Sequence, residues 1–314
     1  SRVGGNPGPI PLHLKLETGT NRQGLLPEHA LELIKLIQQY PNLQLEGISS
    51  HFANIEDTTD HTFAMAQLKR FNDAIVHLSS SIQHPLIRHM GASAATILMP
   101  ETHFDMVRVG IALYGLWPSK ETLVACKYPS PLSSPPRGED VIQGSRLSLE
   151  GRGPAAGGGE GAFHPQLKPV LSWKTRIAQI KKVAAGESVG YGLSERVSQD
   201  STIAIIPVGY YDGFDRKLSS LGNVLIGGTR CKIMGRISMN MCMVNITHVK
   251  EAKGEDEVVL IGEQASPQGL TLQEQGETLK RQFPERITVD ELAQKIGTIN
   301  YEVVARINPL LPRV

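Results

Sequence analysis

Residues 11–53, "PLHLKLETGTNRQGLLPEHALELIKLIQQYPNLQLEGISSHFA", decide how this chain is read. "PLHLKLETG" alternates apolar and polar side chains, as a strand does. "LPEHALELIKLIQQY" repeats its apolar residues at helical spacing, with Pro27 in the first turn, where a missing N–H costs nothing. "LQLEGISSHFA" is a second strand. Strand, helix, strand within some forty residues predicts a parallel β/α unit.

The pattern continues outward. "TFAMAQLKRFNDAIVHLSS" predicts a second helix, and "LIRHMGASAATILM" a short strand entering a helix. "FDMVRVGIALYG" reads as a fourth strand. That makes about four β/α units, and a closed barrel needs eight. Residues 126–166, containing "SPLSSPPRGEDVIQGSRLSLEGRGPAAGGGEGAF", are rich in Pro, Gly and Ser and lack periodicity; a disordered insertion or linker is expected. Beyond Leu167 the strand candidates crowd together: "PVLSWKTRIAQIKKV", "STIAIIPVGYY", "NVLIGGTRCKIMGRI", "MCMVNIT" and "DEVVLIG". Gly227-Gly228 suits a hairpin turn. "TVDELAQKIG" predicts a short helix capped near Thr288 or Asp290, and "NYEVVARI" a closing strand. The expected fold class is α/β plus all-β. A partial barrel occupies 1–118, a linker or insertion 119–166, and a β-rich domain 167–314.

Composition narrows the function. The 314 residues carry 32 Lys+Arg and 31 Asp+Glu, a net charge of +1. Nothing in that balance favours nucleic acid or an anionic membrane surface, and no apolar run reaches spanning length. Three cysteines, Cys126, Cys231 and Cys242, lack metal-type spacing, so no metal site and a reducing, cytoplasmic setting are expected. The chain opens on Ser1, without a signal-peptide pattern, and missing upstream sequence is expected.

Chemistry concentrates at strand ends. Arg108 sits inside an apolar run; an unpaired buried guanidinium is costly. It either meets an interior carboxylate, with Asp105 a candidate, or faces a cofactor. Taken alone it favours the ion pair. Three other strand ends, however, offer Arg22, His51 and Ser93, the last at a Gly-containing strand-to-helix turn of the kind that binds phosphate. One polar group at each consecutive strand end is hard to explain by packing. In the β-rich half, Tyr191 stands between Gly190 and Gly192.

These segments resemble the alanine racemase family, fold-type III pyridoxal-phosphate enzymes. The resemblance rests on "LHLKLETGTNRQGL", "LEGISSHFAN", "HFDMVRVGIALYGLWPS", "LKPVLSWKTRIAQIKKVAAGESVGYG", "IAIIPVGYYDGF", "VLIGGTRCKIMGRISMNMCMVNIT" and "INYEV", in the family's order. It implies the C-terminal half of a (β/α)8 barrel followed by a β-rich domain, and two-base interconversion of L- and D-alanine. The implied cofactor is pyridoxal 5′-phosphate. Its ring nitrogen would face Arg108, supported by His51, and Ser93, Gly110, Ile111 and Tyr301 would hold its phosphate. Arg22 corresponds to the arginine near the phenolic oxygen, and Lys15 to a lysine carbamylated in some members. Tyr191 corresponds to one catalytic base, acting across a homodimer with shared active sites. Tyr210 and Met239 correspond to substrate-pocket residues. Asn240 stands where the family usually has aspartate.

The family's second base, a Schiff-base lysine in a Lys-Ala-Asn-Ala-Tyr-Gly-like segment, has no counterpart here. The resemblance places the start of this chain near the family's fifth strand. An open half-barrel exposes edges and an apolar face, so this chain alone is expected to be poorly stable and without normal racemase activity. A non-catalytic pyridoxal-phosphate-binding or interaction protein on the same scaffold is the alternative. A racemase for serine or another small amino acid is a third.

Overall fold

The computed structural model describes residues 8–82, 84–127, 166–265 and 284–314, with backbone alone at 271–274 and 277–280. Contacts divide the chain into two compact units, 1–169 and 170–314.

In the first unit, β1 (Ile10–Lys15), β2 (Leu43–Ser49) and β3 (Ile87–His89) form a parallel sheet in that order. Helix α1 (Pro27–Ile37) connects β1 to β2, and α2 (Thr62–Leu78) connects β2 to β3. Both helices owe their placement to apolar stripes. Ala30, Ile34 and Ile37 are buried on α1, and Ala64, Leu68, Phe71, Ala74 and Leu78 on α2. They pack with Leu14, Leu16, Leu45 and Ile48 into one core. Glu28 in the first turn and Lys35 in the last turn of α1 both suit its dipole.

The sheet's other face is polar. Strand alternation puts His13 and Lys15 opposite Leu12 and Leu14. The β1–β2 register shifts between Leu12 and His13, so that His13 faces Gly47. A Cβ at Gly47 would lie 2.4 Å from the His13 ring; only glycine leaves room for that imidazole.

Two elements differ from expectation. Residues 104–110 form no strand, and 111–114 form a 3-10 turn closed by Gly115 at φ 69°. The segment reaches its neighbours through isolated bonds, Asp105 N–H to Arg88 O and Arg108 N–H to Gly91 O. Single bonds three residues apart do not make a ladder, whatever the β-propensity of the run. Residues 300–306, read as a strand, form helix α6, which packs on α5 (Val289–Ile296). Burial of Asn300 and Val303, three apart, decides it. Helix α3 (Ser93–Leu98) follows β3 as expected. Helix α4 (Lys120–Lys127) occupies the start of the expected linker, while the rest, 128–165, lies outside the described residues.

The second unit is built on an eight-stranded antiparallel sheet. Its strands are β4 (Trp173–Arg176), β5 (Gln179–Val183), β8 (Ser201–Ile206), β9 (Asn223–Ile226), β10 (Thr229–Met234), β11 (Cys242–Asn245), β12 (Glu257–Gln264) and β15 (Glu285–Ile287). A short ribbon, β6 (Ser188–Val189) and β7 (Glu195–Arg196), and a separate hairpin, β13 (Thr271–Glu274) and β14 (Glu277–Lys280), complete it. The β9–β10 hairpin turns at Gly227 and Gly228, both at positive φ, as a two-residue turn between twisted strands requires. Thr288 caps α5 by accepting from the Glu291 N–H. Among the described residues no helix is long and apolar enough to cross a membrane, and no cluster of three His, Cys, Asp or Glu is placed to hold a metal.

Candidate functional site

The carboxyl ends of β1, β2 and β3 open on one mouth, which is where α/β sheets place their ligand sites. After β1, the loop 16–24 folds around the Glu17 carboxylate. Burial works to raise that group's pKa, but the backbone N–H groups of Asn21, Gly19, Thr20 and Arg22 overcome it and the net shift is downward. The loop is tied to its neighbours: Thr20 Oγ1 donates to His51 O at 2.7 Å, and Arg70 NH1 to Thr18 O at 2.8 Å. It thereby presents Arg22 beside Lys15.

After β2, Ser50 and His51 turn into the mouth. After β3 come Met90, Gly91 and Ser93. The Ser93 hydroxyl, only 3% exposed, accepts from Gly110 N–H at 3.0 Å and from Ala112 N–H at 3.3 Å. Ile111, between them, buries its side chain.

Arg108 lies at the centre. NH2 donates to Ser50 O at 2.7 Å and Met90 O at 3.2 Å, and reaches His51 Nδ1 at 3.3 Å. NH1 meets His89 Nδ1 at 2.5 Å. No carboxylate pairs with it among the described residues. The expected candidate, Asp105, is instead taken by Arg88 through Nε–Oδ2 at 2.8 Å and NH2–Oδ1 at 3.2 Å. Arg88 points to the opposite face of β3 from His89, and Asp105 follows it there. The interior ion pair that Arg108 alone suggested is therefore absent.

The result is a concentration of cations, opposed at Lys15 by Glu17. Burial, then Arg108, Arg22 and Lys15, push His51 below the ordinary imidazole range. Burial, then Arg22 and Arg108, lower Lys15, with Glu17 opposing. His89 falls to about 4, through burial first, then Arg108 and His13. Neutral imidazoles beside a guanidinium act as acceptors, and an anionic ligand would relieve the field.

Arg22, His51, Ser93 and Arg108 are thus brought to one mouth, with Lys15, Gly110 and Ile111. His89 and the Ala112 N–H, also there, and His13, one contact further back, were not singled out from the sequence. The available signal was period-two spacing: 13 and 15, 47 and 49, and 87 and 89 share the polar face.

In the second unit, Tyr191 tops the β6–β7 ribbon between Gly190 (φ 78°) and Gly192 (φ 75°), and is 73% exposed. Arg236 lies against Gly192, where a Cβ would meet its guanidinium at 2.9 Å. The turn Ser238–Met241, closed by Ser238 N–H to Met241 O, presents Met239 and Asn240 outward. Tyr210 adjoins it through its N–H to Ser238 O at 3.1 Å. Tyr301 lies half-buried in α6.

A parallel β/α unit with a cation-lined strand-end mouth, joined to an antiparallel β-unit with a glycine-framed exposed tyrosine, defines a two-part α/β-plus-β protein. The chain belongs to the alanine racemase family: the family's N-terminal domain matches residues 3–118 and its C-terminal domain residues 170–282. Alanine racemase of Leptospira interrogans (strain Fiocruz L1-130) is 40% identical over 305 residues, covering 96% of this chain and 65% of that protein. Alanine racemase 1 of Clostridium acetobutylicum is 34% identical, over 96% of this chain and 64% of its own length. Among solved structures, the alanine racemase of Bacillus anthracis with bound L-Ala-P matches with TM-score 0.71 and 27% identity, over 96% of this chain and 63% of that one. The Streptomyces coelicolor enzyme matches with TM-score 0.71 and 28% identity, over 98% and 66%. This chain therefore spans 65% of the Leptospira relative's length.

Proposed function

We propose that this chain is part of a pyridoxal 5′-phosphate-dependent racemase that interconverts L- and D-alanine. The observation that carries the reading is Arg108, a guanidinium without a carboxylate partner among the described residues, at a mouth whose other wall is Ser93 with two converging amides.

The residues present fit the cofactor. Ser93 Oγ is held by the Gly110 and Ala112 amides, and its own hydrogen has no acceptor among the described residues. A Cβ at Gly110 would stand 4.0 Å from that oxygen, in the space an anion held by both would need. Ser93, Gly110 and Ile111 would hold the phosphate, with the Ala112 amide beside them. When bound, pyridoxal 5′-phosphate supplies the electron sink that acidifies the amino acid's α-hydrogen.

Arg108 would donate a hydrogen bond to the ring nitrogen and, keeping its proton, would leave that nitrogen unprotonated. His51 steadies NH2. Arg22 would add positive charge for the substrate carboxylate and the phenolic oxygen; Lys15, the carbamylation candidate, would as a carbamate be an anion paired with Arg22. Tyr191 moves a proton at the α-carbon from one face. Its exposure, with Leu193, Tyr210, Tyr211 and Met239 also exposed, supports a homodimer in which this surface meets the mouth of a second copy. Tyr210 and Met239 would line the substrate pocket. The opposite-face base is assigned to sequence that the longer relatives have and this chain does not span. The first unit would correspondingly be one half of a (β/α)8 barrel.

The test is complementation. This chain is mixed with a polypeptide carrying the remaining third of the Leptospira relative, pyridoxal 5′-phosphate and L-alanine. D-alanine is expected, and Tyr191→Phe should reduce its formation at least ~100-fold, the scale of a lost acid–base group. Equal D-alanine from both chains would refute the assignment.

A further inference from the structure

On the polar face of the sheet, Arg108 begins a chain of contacts that leads away from the mouth. NH1 meets His89 Nδ1 at 2.5 Å, His89 Nε2 meets His13 Nδ1 at 2.7 Å, and His13 Nε2 meets Glu46 Oε2 at 3.2 Å. We propose that Glu46, His13 and His89 form a one-way hydrogen-bond relay that holds the Arg108 guanidinium in place. Glu46, His13 and His89 are positioning residues; that Arg108 faces a cofactor rests on the reading above.

The direction follows from the end groups. A guanidinium only donates, so His89 Nδ1 must be bare. Neutral His89 then carries its hydrogen on Nε2 and donates to His13. His13 Nδ1 accepts, so its own hydrogen is on Nε2, where the carboxylate of Glu46, an acceptor only, takes it. Every link has one donor and one acceptor, and both imidazoles have the same tautomer. The other arrangement fails at the mouth: a hydrogen on His89 Nδ1 would face an Arg108 N–H donor. The depressed His89 pKa, about 4, agrees with a ring kept neutral beside that cation. Carboxylate–histidine pairs orient ligands in this way elsewhere.

The backbone makes the contact possible. His13 is on β1 and His89 on β3, with β2 between them. Two imidazoles can touch across an intervening strand only where that strand has no side chain in the way, and Gly47 fills that position. Glu46, the preceding residue and the extra one where the β1–β2 register shifts, brings its carboxylate to His13 on the edge strand β1.

The experiment uses the full chain with 15N-labelled histidine rings, the signals assigned with His13→Asn and His89→Gln variants. At pH 7, both rings should show the neutral Nε2–H pattern. Glu46 is a surface residue, its side chain 46% exposed, so Glu46→Ala and Glu46→Lys should leave the fold intact. Glu46→Ala should let His13 mix tautomers. Glu46→Lys places a donor where an acceptor stood; His13 should turn to the Nδ1–H form and the contact to His89 should break. With pyridoxal 5′-phosphate added, Glu46→Lys should shift the bound cofactor's absorbance band while its Kd, set by the phosphate contacts, stays within about 3-fold. A charged or Nδ1–H His89 at pH 7 overturns the relay, as do ring signals that Glu46→Lys leaves unchanged. Correct tautomers in a chain that binds no cofactor would leave the relay standing and remove the functional reading instead.

Discussion

Replacing His89 by Gln should make the first unit markedly less sensitive to acid. In the wild-type chain the His89 pKa is pushed from 6.5 to about 4 by burial, Arg108 and His13. The depressed value means that the unfolded chain binds a proton first as pH falls. Stability is therefore fully present above pH 6.5 and is lost as pH falls towards 4, flattening below. At 1.36 kcal/mol per unit, the loss between pH 7 and pH 4 is about 3 kcal/mol. Water at the open mouth screens part of this, which leaves about 2 kcal/mol. His51, depressed by burial and the same cations, shifts in the same sense, and so do the lowered carboxylates Glu17 and Asp105. They act in both proteins, so the difference between wild type and variant isolates His89. Gln can still accept from Arg108 through its amide oxygen. The assay is hydrogen exchange at the amides of β1, β2 and β3, measured from pH 7 to pH 4 and corrected for intrinsic rates. The variant's opening free energy should fall by about 2 kcal/mol less than wild type across that range. Parallel curves would mean that His89 is not held neutral beside Arg108, and the geometry around the guanidinium would have to be reconsidered.

Ser93→Ala removes the hydroxyl at the focus of the Gly110 and Ala112 amides. It should weaken pyridoxal 5′-phosphate binding about 10-fold, measured by absorbance titration, with little change in Tm. Gly209→Ala would put a Cβ 2.2 Å from Ser238 O and 2.4 Å from Met239 O, both backbone. It should cost the second unit about 3 kcal/mol and lower its Tm by several degrees.

Much of the architecture was legible because local pattern and tertiary outcome agree. Pro27 followed by apolar residues at helical spacing placed α1. Gly227-Gly228 marked a hairpin because two positive-φ residues are what that turn requires. Thr288 served α5 as a cap. The misreadings, 104–110 and 300–306, share a cause. Both are runs of β-branched and apolar residues, and β-propensity is realised only where a partner strand offers its hydrogen bonds. None does so along 104–110, and α5 offers 300–306 an apolar surface instead.

The site divides along the same line. Sequence by itself determined that Lys15, Arg22, His51 and Ser93 stand at or just after strand ends, since a residue's place on its strand is local, whereas Arg108, expected at a strand end, lies in an irregular segment. Only the tertiary structure decided which of them touch. Arg88 took Asp105 from Arg108 because neighbouring positions on a strand point to opposite faces. Gly47 let His13 reach His89 across a strand, 76 residues apart in sequence. Long-range contacts depend on register and on the absence of a side chain in between, and neither is written in the local pattern.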